Sequence, residues 1–406
     1  MTQLNSKSGQ AVLMLGHIAG MVDMVALPLW VGTLMQNYAY SPQQAGLTVT
    51  LFLAAVAITS MVLSPQFNRL PQRWLATFGF ALAAGAFYAV SQQSMNAAGF
   101  STMALLHLAA GVGIGCGLSM THGALGRTLN PHRMFAWANG LLGVFAVLFM
   151  GSVPKLMQSV GGTVVFSAFV AVMAVAAIAV ALAFPQLKAE TSGMGQTGAS
   201  GQAIQSTQKT RIPPAAWFAI FAVVCLTMNQ AIVFSFLERV GAERGFSAAS
   251  VGGVLLALGL VNLLPSPLAG FLEKRLPATA VATAAPIVQA ALALVIFNAT
   301  AFMPYAVTAA LFVAPVLFGH IFLFGLISRL DPSGRAAAST PAMVMLGSAI
   351  GPILGGGIVQ QFGYPGVGIA SVVIAAVAVV CARQSKRLSA GFSTSGRPSA
   401  LTATSI

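Results

Sequence analysis

Carboxylates are the scarcest chemistry in this chain, whose 406 residues include only six Asp and Glu. Glu190 stands in a long polar stretch and Glu243 in a short one, while Glu273, Asp331 and Glu238 lie at or near the ends of apolar runs. Asp23 alone lies deep inside such a run, about twelve residues from its start, which on a helix is roughly 18 Å. An ionised carboxylate at that depth in hydrocarbon costs about 2.5–3.5 kcal/mol on insertion scales. Asp23 should therefore face a wet cavity or hold a proton, and a carboxyl exposed alternately to two aqueous sides could carry a coupling proton. The other reading is a structural aspartate bonded to a neighbouring helix. Helical spacing sets Gly16, Gly20, Asp23, Leu27, Trp30 and Asn37 along one side, so Asp23 shares a stripe with an aromatic and an amide.

Four histidines also fall in apolar runs. His107 and His320 are the better cavity candidates, because His17 lies off the Asp23 stripe and His122 lies near the end of its run. No two are spaced i, i+4, so no metal site is expected. Thr227, Asn229, Gln230, Phe234 and Glu238 are further candidates. Thr227, Gln230, Phe234 and Glu238 recur at 3–4 spacing and make a polar and aromatic wall, with Asn262 as another amide of interest. Each amide could equally serve packing between helices. No Lys or Arg occupies the middle of an apolar run, so no fixed cationic clamp for phosphates or dicarboxylates is expected. That favours neutral, amphipathic or cationic solutes, or a monoanion held through protons and hydrogen bonds. No phosphate-cradling Gly-Lys-Ser/Thr loop is present, and neither ATP nor any cofactor is expected. Cys116, Cys225 and Cys381 lack pairing or ligand spacing and read as small buried hydrophobes.

The elements that must hold these residues follow from composition. Of all residues 57% are hydrophobic and 6% charged, against about a quarter charged in soluble domains, so the outer surface must face lipid. A membrane helix needs about twenty apolar residues. Twelve candidate spans result, at 11–37, 43–66, 73–92, 101–127, 134–154, 162–184, 214–238, 247–272, 278–298, 303–328, 336–360 and 364–382. The alternating ten-residue strands of a β-barrel are absent. The longest polar stretch, Gln186 to Arg211, divides the spans six and six and has a linker's composition, as does the tail after Arg383. No cleavable signal is expected, since the first apolar run is too long and lacks a small-residue cleavage site.

The net charge of +13 does not mark a nucleic-acid binder, because the basic residues stand singly or in small clusters between spans. They report orientation instead. With the N-terminus inside, sixteen of the nineteen Lys and Arg fall on the cytoplasmic side, and only Lys155, Arg239 and Arg244 fall outside. The halves also echo each other. Displaced by 206 positions, residues 41–77 share eight identities with the second half, including Arg69-Leu70-Pro71 with Arg275-Leu276-Pro277. Two six-helix repeats joined by a linker form a transporter plan.

With these residues the chain resembles the major facilitator superfamily. That family carries roughly G-x-x-x-D-R-x-G-R-K/R after span 2. Here Ser64 to Arg73 keeps Arg69 and Arg73 in register, with Asn68 in place of the acid and Pro71 in place of glycine. A second copy starts at Gly270 and keeps Leu272 and Arg275, with Lys274 in place of the acid. The loops after spans 4 and 10 form another pair, Arg127-Thr128-Leu129-Asn130-Pro131 and Arg329-Leu330-Asp331-Pro332, the latter continuing to Arg335. Span 11 carries Gly347, Gly351, Pro352, Gly355 and Gly356, spaced for close helix packing with a bend. The family's antiporters carry a similar run in span 5, where this chain has Gly140, Gly143 and Gly151 without the proline. Asn68, Arg69, Arg73, Arg127, Arg275, Asp331 and Arg335 are expected at cytoplasmic helix ends. Arginines there can bond exposed carbonyls and latch the two halves in one conformation.

The resemblance covers residues 11–383. It implies an all-α integral membrane fold of twelve helices in two pseudo-symmetric bundles, residues 1–185 and 213–383. A cytoplasmic linker at 186–212 and a flexible cytoplasmic tail at 384–406 complete the chain. Spans 1, 4, 7 and 10 should line a central cavity, with spans 6 and 12 facing lipid. The expected function is secondary active transport of a small solute by alternating access, driven by protons through Asp23. The expected partners are the solute, protons and the bilayer, with the chain a monomer. Short loops and an Ala- and Gly-rich composition suggest a bacterial cytoplasmic membrane, with both termini inside. The alternatives are a proton-independent uniporter or importer in which Asp23 only binds solute, and a membrane enzyme or sensor. The last would need a catalytic constellation or signalling domain, and neither is visible.

Overall fold

The computed structural model describes residues 3–93, 99–129, 131–185, 212–272, 274–331, 336 and 340–395. The expected linker lies outside them except for Ile212, and Arg335 lies outside as well. Eleven helical stretches are long and apolar enough to cross a membrane. The eleventh, Met343–Ser389, has 47 residues, and at Gly363 its backbone leaves the helix with φ 68°, ψ −178°. That left-handed conformation suits glycine and divides the stretch into two crossings, so the described residues make twelve. Spans 1 to 10 are Lys7–Asn37, Pro42–Leu63, Gln72–Ser91, Phe100–Leu125, Met134–Val160, Val164–Ala183, Pro214–Glu243, Ala248–Leu272, Ala278–Asn298 and Phe302–Leu330. Spans 11 and 12 flank Gly363.

Most spans are apolar all round, as helices buried in protein and lipid together must be. Side chains at the ends close some of them, as Ser6 does by accepting from Gly9 N–H at 3.1 Å and Ser247 from Ser250 N–H at 3.1 Å. Val175, Ile178 and Leu182 of span 6 and Ile369, Val373 and Val380 of span 12 are exposed, so both spans present an apolar face to lipid. The helix of span 12 runs on to Ser395, and Ser385 donates to Ala215 O at 2.8 Å. Residues 384–395 of the expected tail continue this helix, and residues 396–406 lie outside the described ones.

Three spans are discontinuous. Span 1 consists of helices Lys7–Gly20 and Val22–Asn37, parted at Met21 with φ −120°, ψ 12°. Span 8 breaks between Val261 and Pro265, and span 10 between Leu311 and Ala314.

The halves meet through spans 1 and 7, 2 and 11, and 5 and 8. Gly32 lies against Glu238, Gly46 against Pro352 O, and Gly356 against Pro42 O, each so close that a Cβ would collide. Thr50 of span 2 donates to Ala349 O at 2.7 Å and accepts from Ile353 N–H at 3.2 Å. In spans 5 and 8, Pro154 approaches Gly252 and Leu263 approaches Gly143. These contacts run from mid-span to the ends that the Lys and Arg bias assigns to the outside, hereafter the outer side.

Candidate binding site

Between the halves, at the inner limit of those contacts, lies a narrow cleft. Asp23, Met24, Leu27 and Trp30 of span 1 line it, with Val49 and Leu53 of span 2, Gln230, Ala231 and Phe234 of span 7, and Ser348 of span 11. Asp23 is its one acid, only 9% exposed, and no Lys or Arg lines it. The break at Met21 places Asp23 in the first turn of the helix Val22–Asn37, near its positive end. Two influences therefore oppose each other. Burial in an apolar cleft disfavours the carboxylate, whereas the positive end of a half-helix favours it.

The break also divides the expected stripe. Gly16 packs on Thr121 and Gly20 on Leu118, both of span 4, while Asp23, Leu27 and Trp30 turn to the cleft. Asn37 lies beyond the cleft, at the outer end of span 1 against Gly162. One continuous helix would have aligned all six residues, but a turn that changes direction at Met21 does not.

Trp30 borders the cleft yet is fully buried, edge-on to Phe52, Phe87 and Phe169 and stacked on His107 at 5.4 Å between centroids. Its indole Nε1–H donates to His107 Nε2 at 3.1 Å, and His107 Nδ1 lies 2.7 Å from Met103 O. An indole only donates and a carbonyl only accepts. His107 must therefore carry its proton on Nδ1, and both ring nitrogens are occupied. The structure puts His107 inside the first half as a support for Trp30, away from the cleft.

On span 7 the expected wall separates into three levels. Gln230 and Phe234 reach the cleft. Thr227 is buried against Gly347, its hydroxyl bonded back to Val223 O at 3.0 Å. Glu238 stands further out, against Gly32. Asn229 is 1% exposed and does not line the cleft, and neither atom of its amide has a hydrogen-bond partner among the described residues. His320 stacks on Phe324 at 5.3 Å, away from the cleft.

Tertiary packing also reveals groups that spacing could not. Val49, Leu53 and Ser348 line the cleft because the halves meet there, and only the i, i+4 step of the first two was a signal. His17 and His122, 105 residues apart, stack with centroids at 5.2 Å and bring Nδ1 of the first to 2.9 Å from Nε2 of the second. At that separation one proton lies between the two rings.

Of the residues expected to latch the halves, Asn68, Arg73, Arg127 and Arg275 have contacts within their own half. Arg127 donates to Asn68 Oδ1 and lies over the Phe67 ring at 4.8 Å. Arg73 Nε donates to Ala181 O at 2.9 Å, satisfying a carbonyl at the end of span 6. Arg69 is exposed, Arg275 lies over Phe271 at 5.0 Å, and Asp331 accepts from Ala336 N–H at 2.8 Å. In span 11, Gly347, Gly351 and Gly355 pack on span 7, whereas Pro352 and Gly356 meet span 2 of the other half.

The family model described as Major Facilitator Superfamily matches residues 12–330. The fold is similar to that of the nucleoside transporter NupG, with TM-score 0.64 and 14% identity over 94% of this chain and 99% of the other. It is similar to a bacterial homolog of the human lysosomal transporter Spinster in an inward-facing and occupied conformation. There the TM-score is 0.69 with 13% identity, over 97% of this chain and 98% of that one. FucP, a transporter of the same superfamily in the outward conformation, gives TM-score 0.54 and 18% identity over 93% and 97% of the two chains. No curated protein matches the chain in sequence.

Proposed function

We propose that this chain, which belongs to the major facilitator superfamily, is a proton-coupled secondary transporter of a small amphipathic or cationic solute. The observation that carries this reading is Asp23, the one acid of the cleft between the halves, buried at a helix break with no basic residue beside it. A carboxyl so placed can exchange a proton whenever the cleft gains water from either side, and alternating access supplies that exchange. Trp30 and Phe234 supply aromatic surface and Gln230 an amide, a set suited to a solute with an apolar body and a polar or cationic end.

The recorded contacts between the halves lie from mid-span to the outer side, which supports an inward-facing arrangement. Rocking the halves about the cleft would part Thr50 from Ala349 and Gly32 from Glu238 and open the other side. The cytoplasmic arginines would then come together as latches. The Lys and Arg bias supports cytoplasmic termini, and the short loops support a bacterial cytoplasmic membrane.

Solute flux into proteoliposomes, with and without an imposed pH gradient, tests this reading. Accumulation that follows the gradient and is lost in Asp23→Asn supports it. Flux indifferent to the gradient would instead favour a uniporter in which Asp23 binds solute.

A further inference from the structure

A second carboxyl, half-buried, belongs to neither the cleft nor the expected latches. Glu238 projects from the outer end of span 7 onto Gly32 of span 1, so its side chain spans the boundary between the halves. Gly32 is the residue that permits this, because a Cβ there would occupy the place of Oε2. That oxygen is shielded from solvent and has no hydrogen-bond partner among the described residues.

The groups around it are few. Span 1 presents Gly32 and, next to it, Thr33, which bonds to Gly162 O; neither titrates. On span 7, Arg239 is the adjacent residue, and its Nε is buried without a partner. Neighbours on a helix do not face each other, so the charge of Arg239 acts on Glu238 through space without a hydrogen bond to Oε2, and it acts also on Tyr364 at the start of span 12. Tyr305 of span 10 lies close by but donates its hydroxyl to Leu237 O at 2.8 Å. Glu243 completes the set, in the neighbourhood of Tyr364. None of these gives Glu238 Oε2 a donor.

We propose that Glu238 is a proton-binding site of the outer gate, separate from Asp23. With its proton bound, the carboxyl is neutral and can pack against the Gly32 backbone, holding the outer ends of spans 1 and 7 together. Without it, a carboxylate with an unpartnered oxygen is costly to bury, and hydration favours separation of the two ends. Gly32 is nine residues outward of Asp23, about 13–14 Å along the helix. A proton arriving from outside therefore meets Glu238 first, and acid outside favours closure over a loaded cleft. The proposal rests on the alternating-access reading above but not on Asp23 as the coupling site.

Spin labels at Gln36→Cys and Ala249→Cys would report the distance between the outer ends of the halves, in nanodiscs and with Cys116, Cys225 and Cys381 replaced by serine. In the wild-type background the distance should lengthen as the buffer is made alkaline. Glu238→Gln, which keeps the shape without the charge, should hold the short distance at every pH. Gly32→Ala, which displaces the carboxyl from the other half, should give the long distance even in acid. Asp23→Asn should leave the pH-dependent lengthening in place. A Glu238→Gln protein that still lengthens with pH as the wild type does would overturn the proposal, as would a wild-type distance indifferent to pH. Loss of the pH response in Asp23→Asn alone would assign it to the cleft and also overturn it. Loss of gradient-driven flux bears on Asp23 and leaves this readout unaffected.

Discussion

Thr50 Oγ1 donates to Ala349 O at 2.7 Å, a hydrogen bond that crosses from one half of the protein to the other. The same oxygen accepts from Ile353 N–H at 3.2 Å, so one hydroxyl bridges two backbone groups four residues apart in span 11. Pro352 lies between them and has no N–H of its own to offer. The bend expected from Pro352 is therefore coupled to the contact that closes the outer side.

Thr50→Val removes the bridge at nearly constant volume and should weaken the closed outer side by about 0.5–1.5 kcal/mol, roughly the worth of a hydrogen bond. Gly46→Ala should act in the same direction more strongly, because its Cβ meets the carbonyl of Pro352 rather than a yielding side chain. Labelling of an outer-side cysteine should quicken in both. Equal labelling rates in wild type and both variants would show that spans 2 and 11 do not set the outer closure.

His107 is expected to support structure and not to exchange the coupling proton, since Trp30 and Met103 occupy both its nitrogens. His107→Phe would leave the indole N–H of Trp30 buried and unpaired, at a cost of about 1–3 kcal/mol in stability. Thermal unfolding in detergent should show that loss. His107→Gln, which can still accept from the indole, should recover part of it and leave the pH profile of transport unmoved. A shifted profile in His107→Gln would return the residue to the proton pathway.

Asp23→Asn mimics a permanently protonated carboxyl. Gradient-driven accumulation or extrusion should vanish while exchange of solute without a gradient persists, and Asp23→Glu should keep some driven activity. If Asp23 only binds a cationic solute, exchange falls together with driven flux. Full driven transport by a folded Asp23→Asn protein would sink the proton-site reading.

For the cytoplasmic side, Arg69→Ala and Arg275→Ala should raise the accessibility of cytoplasmic cysteines without abolishing solute binding, through loss of a latch formed when that side closes. Arg73→Ala should behave differently. Its contact with Ala181 O lies within one half, so stability should fall with little change in accessibility. Unchanged labelling in Arg69→Ala and Arg275→Ala would reduce both to signals of orientation.

Composition and the spacing of polar residues were enough to establish the membrane class, the six-plus-six plan and the prominence of Asp23. Hydrocarbon thickness sets span length, and the cost of charge in lipid makes a lone acid conspicuous. Spacing also brought Gln230, Phe234 and Trp30 into view, because helical period places them beside one another or beside Asp23. Which polar residues share a site depended on how the helices pack. The break at Met21 separated Gly16, Gly20 and Asn37 from Asp23, a local backbone choice that apolar periodicity does not encode. His107 became a partner of Trp30, Glu238 a contact of Gly32, and His17 a neighbour of His122, each across at least 77 residues of sequence. Spacing along one helix can show which residues share a face. It cannot show which helix that face meets, because lipid and a neighbouring helix are equally apolar partners.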